Sequence, residues 1–82
     1  MSMEVRRRMV ARVRELCEEA KVAVRNIRRD IKEAIDKLEK DKKISQDEHK
    51  RALEEMEKVT HAETKKIEDL SAAKEREILE IK

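Results

Sequence analysis

Residues 37–48, with the sequence KLEKDKKISQDE, decide the fold of this 82-residue chain. Within this stretch, Ser45 and Glu48 follow the S-x-x-E pattern of a capping box, in which each side chain bonds the other residue's backbone amide. Such a box begins a new helix, so the preceding helix must end shortly before it. The short turn between the two helices, residues 43–45, forces them to run antiparallel.

The composition on both sides of this turn favours helices. Gly, Pro, Phe, Trp and Tyr are absent and 51% of the residues are charged, which leaves a helical or a disordered chain. The apolar residues recur at helical spacing, and this favours helices. We predict a single domain of 82 residues, with helix A over about residues 3–42 and helix B over about residues 46–81.

Helix A carries an apolar stripe that is wider than one partner helix can cover. Helix B has a narrower stripe, which Glu63 and Lys74 interrupt. Because so short a chain struggles to build its own core, we predict an all-α, coiled-coil-like antiparallel hairpin that completes a bundle by self-association, most simply as a homodimer. The predicted stripe of helix A comprises Met9, Val13, Leu16, Ala20, Ala23, Ile27, Ile31, Ala34 and Leu38, widened on one side by Cys17, Val24 and Ile35. That of helix B comprises Ala52, Leu53, Met56, Val59, Ile67, Leu70, Ile78 and Ile81.

The basic residues of helix A form the main candidate binding site. Residues 1–43 carry 14 Lys and Arg against 9 Asp and Glu, whereas residues 44–82 carry 8 against 11. Projected at about 100° per residue, six of the cations share one narrow sector and cannot all find a carboxylate one helical turn away. A phosphate backbone would relieve their repulsion, although a solvated basic face accounts for the same pattern. The six are Arg7, Arg14, Lys21, Arg25, Arg28 and Lys32.

Other functional classes receive little support. Cys17 has no histidine nearby in sequence, and His49 and His61 lie about 120° apart around helix B, too far to share a metal by themselves. Without glycine no phosphate-cradling loop can form, so we predict a protein that is not an enzyme and has no cofactor. The chain has no apolar run of membrane-spanning length and no signal-peptide pattern at its start, so we expect a cytoplasmic protein.

Residues 20–30, AKVAVRNIRRD, closely resemble the arginine-rich signature of ribosome recycling factors. Residues 37–48 match the family's helix-to-helix turn, and residues 65–70 and 74–80 match its final helix. The resemblance covers the last two helices of the family's three-helix domain, about half of such a factor, and the first helix and the inserted β domain have no counterpart. Glu63, Thr64 and Ser71 are polar where the family is usually apolar. Because the first helix and the β domain are missing, we expect this chain to be a fragment of a complete factor, a natural short form of one, or an engineered relative.

The resemblance implies a role in translation. In the family, arginines at the positions of Arg25, Arg28 and Arg29 lie against large-subunit ribosomal RNA, and the complete protein works with elongation factor G to disassemble post-termination ribosomes. This chain would then be the ribosome-binding helical arm of such a factor. Arg29 projects away from the other two arginines, so a pairing with Glu33 or Glu18 stays open. The alternative is a structural, self-associating coiled-coil module without RNA binding.

Overall fold

A computed structural model describes residues 1–81 as two long antiparallel helices. The first helix, α1, spans Met3–Lys40, and the second, α2, spans Gln46–Glu80. The hairpin is about 60 Å long, and no strand occurs within residues 1–81. The predicted all-α antiparallel hairpin is confirmed, and α1 ends two residues before the expected position. No helix in this part of the chain is both long and apolar enough to cross a membrane.

A left-handed lysine ends α1. Lys42 has a φ of 59°, and its amide donates to the carbonyl oxygen of Glu39 at 2.9 Å. The amide of Lys43 donates to the carbonyl oxygen of Leu38, also at 2.9 Å. These two bonds form a Schellman motif, whose left-handed position is usually glycine. The chain contains no glycine, so a lysine adopts this conformation, and the carbonyls of Leu38 and Glu39 near the end of α1 are satisfied.

The capping box at the start of α2 is present as predicted. The amide of Glu48 donates to Oγ of Ser45 at 3.1 Å, and the amide of Ser45 donates to Oε1 of Glu48 at 3.0 Å. The bond from the Ser45 amide lowers the pKa of the Glu48 carboxyl. Because the Schellman motif and the capping box follow each other directly, the two helices cannot merge into one.

Arg6 joins the two helices at the open end of the hairpin. Its guanidinium Nη1 donates to the carbonyl oxygen of Leu79 in the last turn of α2, at 3.0 Å. A cation is favourable at a helix C-terminus, where the carbonyl groups carry partial negative charge. The last turn of α2 has no basic residue of its own within Gln46–Glu80, so α1 supplies one.

The two helices bury a thin core. Among the described residues, Val10, Met56 and Ile78 are less than a tenth exposed. The side of α1 that packs against α2 is the one predicted as the widened edge of the stripe, where Cys17 and Val24 are half-buried. Most of the predicted centre of the stripe is instead exposed to solvent, because α2 covers one half of a stripe that is wide enough for two neighbours. The exposed members include Met9, Leu16, Ile27, Ile31 and Leu38.

The uncovered half of the stripe forms an open groove along one face of the hairpin. It contains two clefts, of about 440 and 540 Å³, that follow one another along the helices. The most exposed apolar side chains of α2, Val59 and Leu70, line this face. Its apolar lining includes Leu16, Ile27 and Ile31 from α1 and Ala52, Val59 and Leu70 from α2.

Candidate nucleic-acid interface

Three of the predicted binding cations lie along the edge of α1 that faces α2, seven residues apart. Each of them pairs with a glutamate of α2, in the manner of the charged flanking positions of a coiled coil. These three cations, which we call the inner row, therefore find across the hairpin the carboxylates that α1 itself does not supply. The pairs are Arg14 Nε with Glu75 Oε1 at 2.5 Å, Lys21 Nζ with Glu68 Oε1 at 3.0 Å, and Arg28 Nε with Glu57 Oε1 at 2.8 Å.

Lys21 is the most covered member of the inner row. Its side chain is 27% exposed, and the hydrogen bond to Glu68 raises the pKa of the Lys21 ammonium. A phosphate that approached Lys21 would have to compete with a carboxylate already in place. The inner row therefore joins the helices first, and its charges are largely balanced.

Two arginines of the signature are exposed, as Arg14 also is at 73%, but within residues 1–81 they have no ion-pair partner on α2. Arg25 and Arg29, which we call the outer pair, have side chains that are 62% and 65% exposed. Nη2 of Arg25 lies 3.0 Å from Oε1 of Glu18, and Nε of Arg29 lies 3.9 Å from Oδ1 of Asp30. Both partners lie on α1 itself. Glu18, one of the two partners considered for Arg29, thus pairs with Arg25.

The remaining two predicted cations lie at either end of this region. Lys32 forms an ion pair with Asp36 one turn further along α1, at 2.9 Å. Arg7 is exposed near the open end of the hairpin. It is separated from Arg28 by three heptads, or about 30 Å along the helix. The seven predicted cations therefore form an extended strip and do not converge on a single pocket.

Sequence reasoning missed a polar cluster beside the turn. His49, only 20% exposed, has Nε2 at 2.7 Å from Oδ1 of Asp36 and Nδ1 at 2.8 Å from Oε2 of Glu39. Both ring nitrogens of His49, on α2, thus face carboxylate oxygens of α1. The bond from His49, followed by the one from Lys32, lowers the pKa of Asp36. The sequence did contain a signal for this cluster: two acidic residues, Asp36 and Glu39, lie three positions apart before the turn, and His49 follows shortly after it.

This cluster ties the helices together and does not resemble a metal site. Within residues 1–81, no group of three or more His, Cys, Asp or Glu side chains is arranged to hold a metal ion. Cys17 is a free, half-buried thiol between the helices. The chemistry that these side chains can offer is ionic and hydrogen-bonded contact with a partner.

Comparison with known proteins agrees with the arginine-rich signature. Residues 1–79 match the family model described as ribosome recycling factor. The chain belongs to the ribosome recycling factor family. Similar proteins are the ribosome-recycling factors of Symbiobacterium thermophilum, Syntrophobacter fumaroxidans and Nitratiruptor, which are 52%, 49% and 44% identical to it over 81 residues. No solved structure matches the chain.

The match to the ribosome recycling factors extends over the whole hairpin. Each of the three alignments covers 99% of this chain and 44% of the relative, so the chain spans less than half the length of these relatives. The matched residues 1–79 include α1, the turn, all of α2 except Glu80, the inner row and the outer pair. The hairpin as a unit, and not the arginine block alone, therefore carries the family's sequence.

Proposed function

We propose that this hairpin is the ribosome-binding arm of a ribosome recycling factor, acting in the disassembly of post-termination ribosomes in the cytoplasm. Membership of the family supports a role at the ribosome. The outer pair is the observation that carries the RNA contact, because Arg25 and Arg29 are exposed and have ion-pair partners only on their own helix among the described residues. A phosphate can replace those partners without separating α1 from α2.

The side chains fit a partner that is recognised by shape and charge. A guanidinium group donates two parallel hydrogen bonds to one phosphate, and each neutralised phosphate releases counterions. The chain has no aromatic residue, so stacking of unpaired bases on aromatic rings is not available to it. The proposed ligand is therefore the sugar-phosphate backbone of folded large-subunit ribosomal RNA.

The inner row has a supporting part in this proposal. Arg28 belongs to the family signature, but its guanidinium also holds Glu57 of α2. Arg14 and Lys21 are engaged in the same way. These contacts hold α1 against α2, so that the outer pair is presented on a rigid helical hairpin. They also keep further cations close to the RNA backbone that the outer pair would bind. Like the complete family members, the arm would work with elongation factor G and would contribute binding rather than chemistry.

The outer pair can be tested against a matched pair on the same helix. Arg8 and Arg12 are also exposed, at 75% and 60%, and have ion-pair partners within α1. We expect the variant with Arg25→Gln and Arg29→Gln to bind isolated large ribosomal subunits at least about tenfold more weakly. The slope of log affinity against log salt should fall by about two units, one for each lost phosphate contact.

The control variant, with Arg8→Gln and Arg12→Gln, should keep the salt slope of the unmodified chain. Both variants lose two positive charges from exposed positions of α1, so bulk charge affects them equally. Equal losses in the two variants would overturn the proposed site. The chain would then be interpreted as a structural coiled-coil module, which the exposed open groove favours.

A further inference from the structure

The open groove leaves several large apolar side chains uncovered. Leu70 is 71% exposed and Ile27 is 58% exposed, whereas the buried core consists of three residues of the described chain. Contiguous apolar patches of this length are unusual on a monomer and mark a surface that binds a partner. The whole hairpin is about 60 Å long and 15 Å wide, so the side that holds both clefts is large enough for the roughly 800 Å² that each partner contributes to a stable protein–protein interface.

Besides Arg28, which already pairs with Glu57, and Glu55, two opposite charges of α2 interrupt this apolar face. Glu63 lines the first cleft of the groove, and Lys74 lines the second. They lie on the same side of α2, 11 residues apart, or about 16 Å along the helix. Each is held loosely by a neighbour on its own helix, Glu63 by Lys66 at 3.3 Å and Lys74 by Glu77 at 3.4 Å. A partner that covers the groove must supply a cation at one position and an anion at the other.

We propose that a second copy of this chain covers the open groove, with its turn at the opposite end. The twofold axis passes midway between Glu63 and Lys74, so that α2 packs antiparallel to α2 of the second copy. Glu63 of each copy then forms an ion pair with Lys74 of the other, and the twofold symmetry produces this ion pair two times in the dimer. Leu70 lies within half a turn of this axis in both copies, so the most exposed apolar side chain becomes buried at the centre.

The same charges disfavour the other simple arrangement, in which both turns lie at the same end. The pairs Lys21 with Glu68 and Arg28 with Glu57 fix which residues of α1 and α2 are level with each other. Glu63 is therefore level with residues 23–24 of α1. With the turns together, each Glu63 would be covered by this apolar stretch of the partner, and an unpaired charge would be buried. Charge complementarity thus selects the arrangement with opposite turns.

Charge reversal tests this arrangement by sedimentation equilibrium over a range of concentrations. We expect the unmodified chain to form dimers. Glu63→Lys alone, or Lys74→Glu alone, should weaken dimerisation by at least about tenfold, because the twofold axis makes each reversal create two like-charge contacts. The variant with both reversals should recover most of the original affinity. Glu54→Lys, an exposed reversal on the opposite side of α2, serves as the control and should change little.

The double variant separates the proposed contact from a local effect. Both reversals place like charges beside Lys66 and Glu77, so a purely local effect would make the double variant the weakest of all. That result would overturn the proposal, as would single reversals that dimerise like the Glu54→Lys control. A chain that is monomeric at every concentration would also overturn it and leave the groove for a different occupant. Circular dichroism of each variant verifies that the helices remain folded.

Discussion

Replacing Ser45 by alanine would remove one of the two bonds of the capping box. The hydroxyl of Ser45 accepts the hydrogen bond from the Glu48 amide at 3.1 Å, whereas the carboxylate of Glu48 keeps its bond to the amide of residue 45. Loss of a serine N-cap typically lowers the free energy of unfolding by about 1 kcal/mol. We expect the full value here, because this helix end lies in the turn and cannot fray unless the two helices separate.

For a chain of this size, a loss of about 1 kcal/mol lowers the Tm by roughly 4–8 °C. Thermal unfolding followed by circular dichroism measures the shift. All variants must be compared at one protein concentration, because self-association makes the Tm depend on concentration.

Ser2→Ala provides the matched control within the same chain. Oγ of Ser2 accepts a hydrogen bond from the Val5 amide at 3.2 Å, so the chemical change is the same as at Ser45. The start of α1 is free to fray, however, and the loss there should be only a few tenths of a kcal/mol. Equal shifts for the two variants, or an unchanged Tm for Ser45→Ala, would show that the turn does not limit unfolding.

Two further predictions concern the turn and its surroundings. Lys42→Gly should raise the free energy of unfolding by about 0.5–1 kcal/mol, because glycine adopts the left-handed conformation without strain. The control Lys40→Gly, within α1, should lower the free energy of unfolding by a similar amount. Chemical denaturation measures both changes. Stability should also fall on acidification, because the fold lowers the pKa values of Asp36 and Glu48 from their usual 3.8 and 4.5. As the pH falls, these two carboxylates take up protons in the unfolded chain before they do so in the folded chain. The free energy of unfolding therefore decreases from about pH 5 downward. Glu48→Gln should flatten this dependence in melting curves recorded across pH, and an unchanged dependence would argue against the contribution of Glu48.

The sequence predicted those parts of the fold that local chemistry determines. The capping box is visible because Ser45 and Glu48 stand three residues apart, and the antiparallel arrangement follows from the short turn. The sequence alone could not show which half of the apolar stripe α2 covers, since apolar residues lie in both halves. The seven-residue spacing of Arg14, Lys21 and Arg28 was the missing signal, because flanking charges at this spacing mark the edge beside a partner helix.

Interactions between the helices also explain why the predicted cation strip contains both an inner row and an outer pair. A helical projection compares residues of one helix, so it cannot show that Arg28 has a partner on α2 whereas Arg25 does not. The left-handed lysine was hidden for a related reason. Lys42 is one of several lysines near the turn, and the residue that usually marks this conformation, glycine, is absent from the chain.

The two proposed surfaces lie on different sides of α1, so one can be occupied without blocking the other. Arg25 and Ile27 are two residues apart, which places their side chains about 200° apart around the helix axis. A second copy seated in the open groove would cover Ile27 and leave Arg25 exposed. We therefore expect the Glu63 and Lys74 reversals to change dimerisation but not the salt slope of ribosome binding, and the outer-pair variant to do the reverse. If one set of variants altered both measurements, the two surfaces would have to be a single interface.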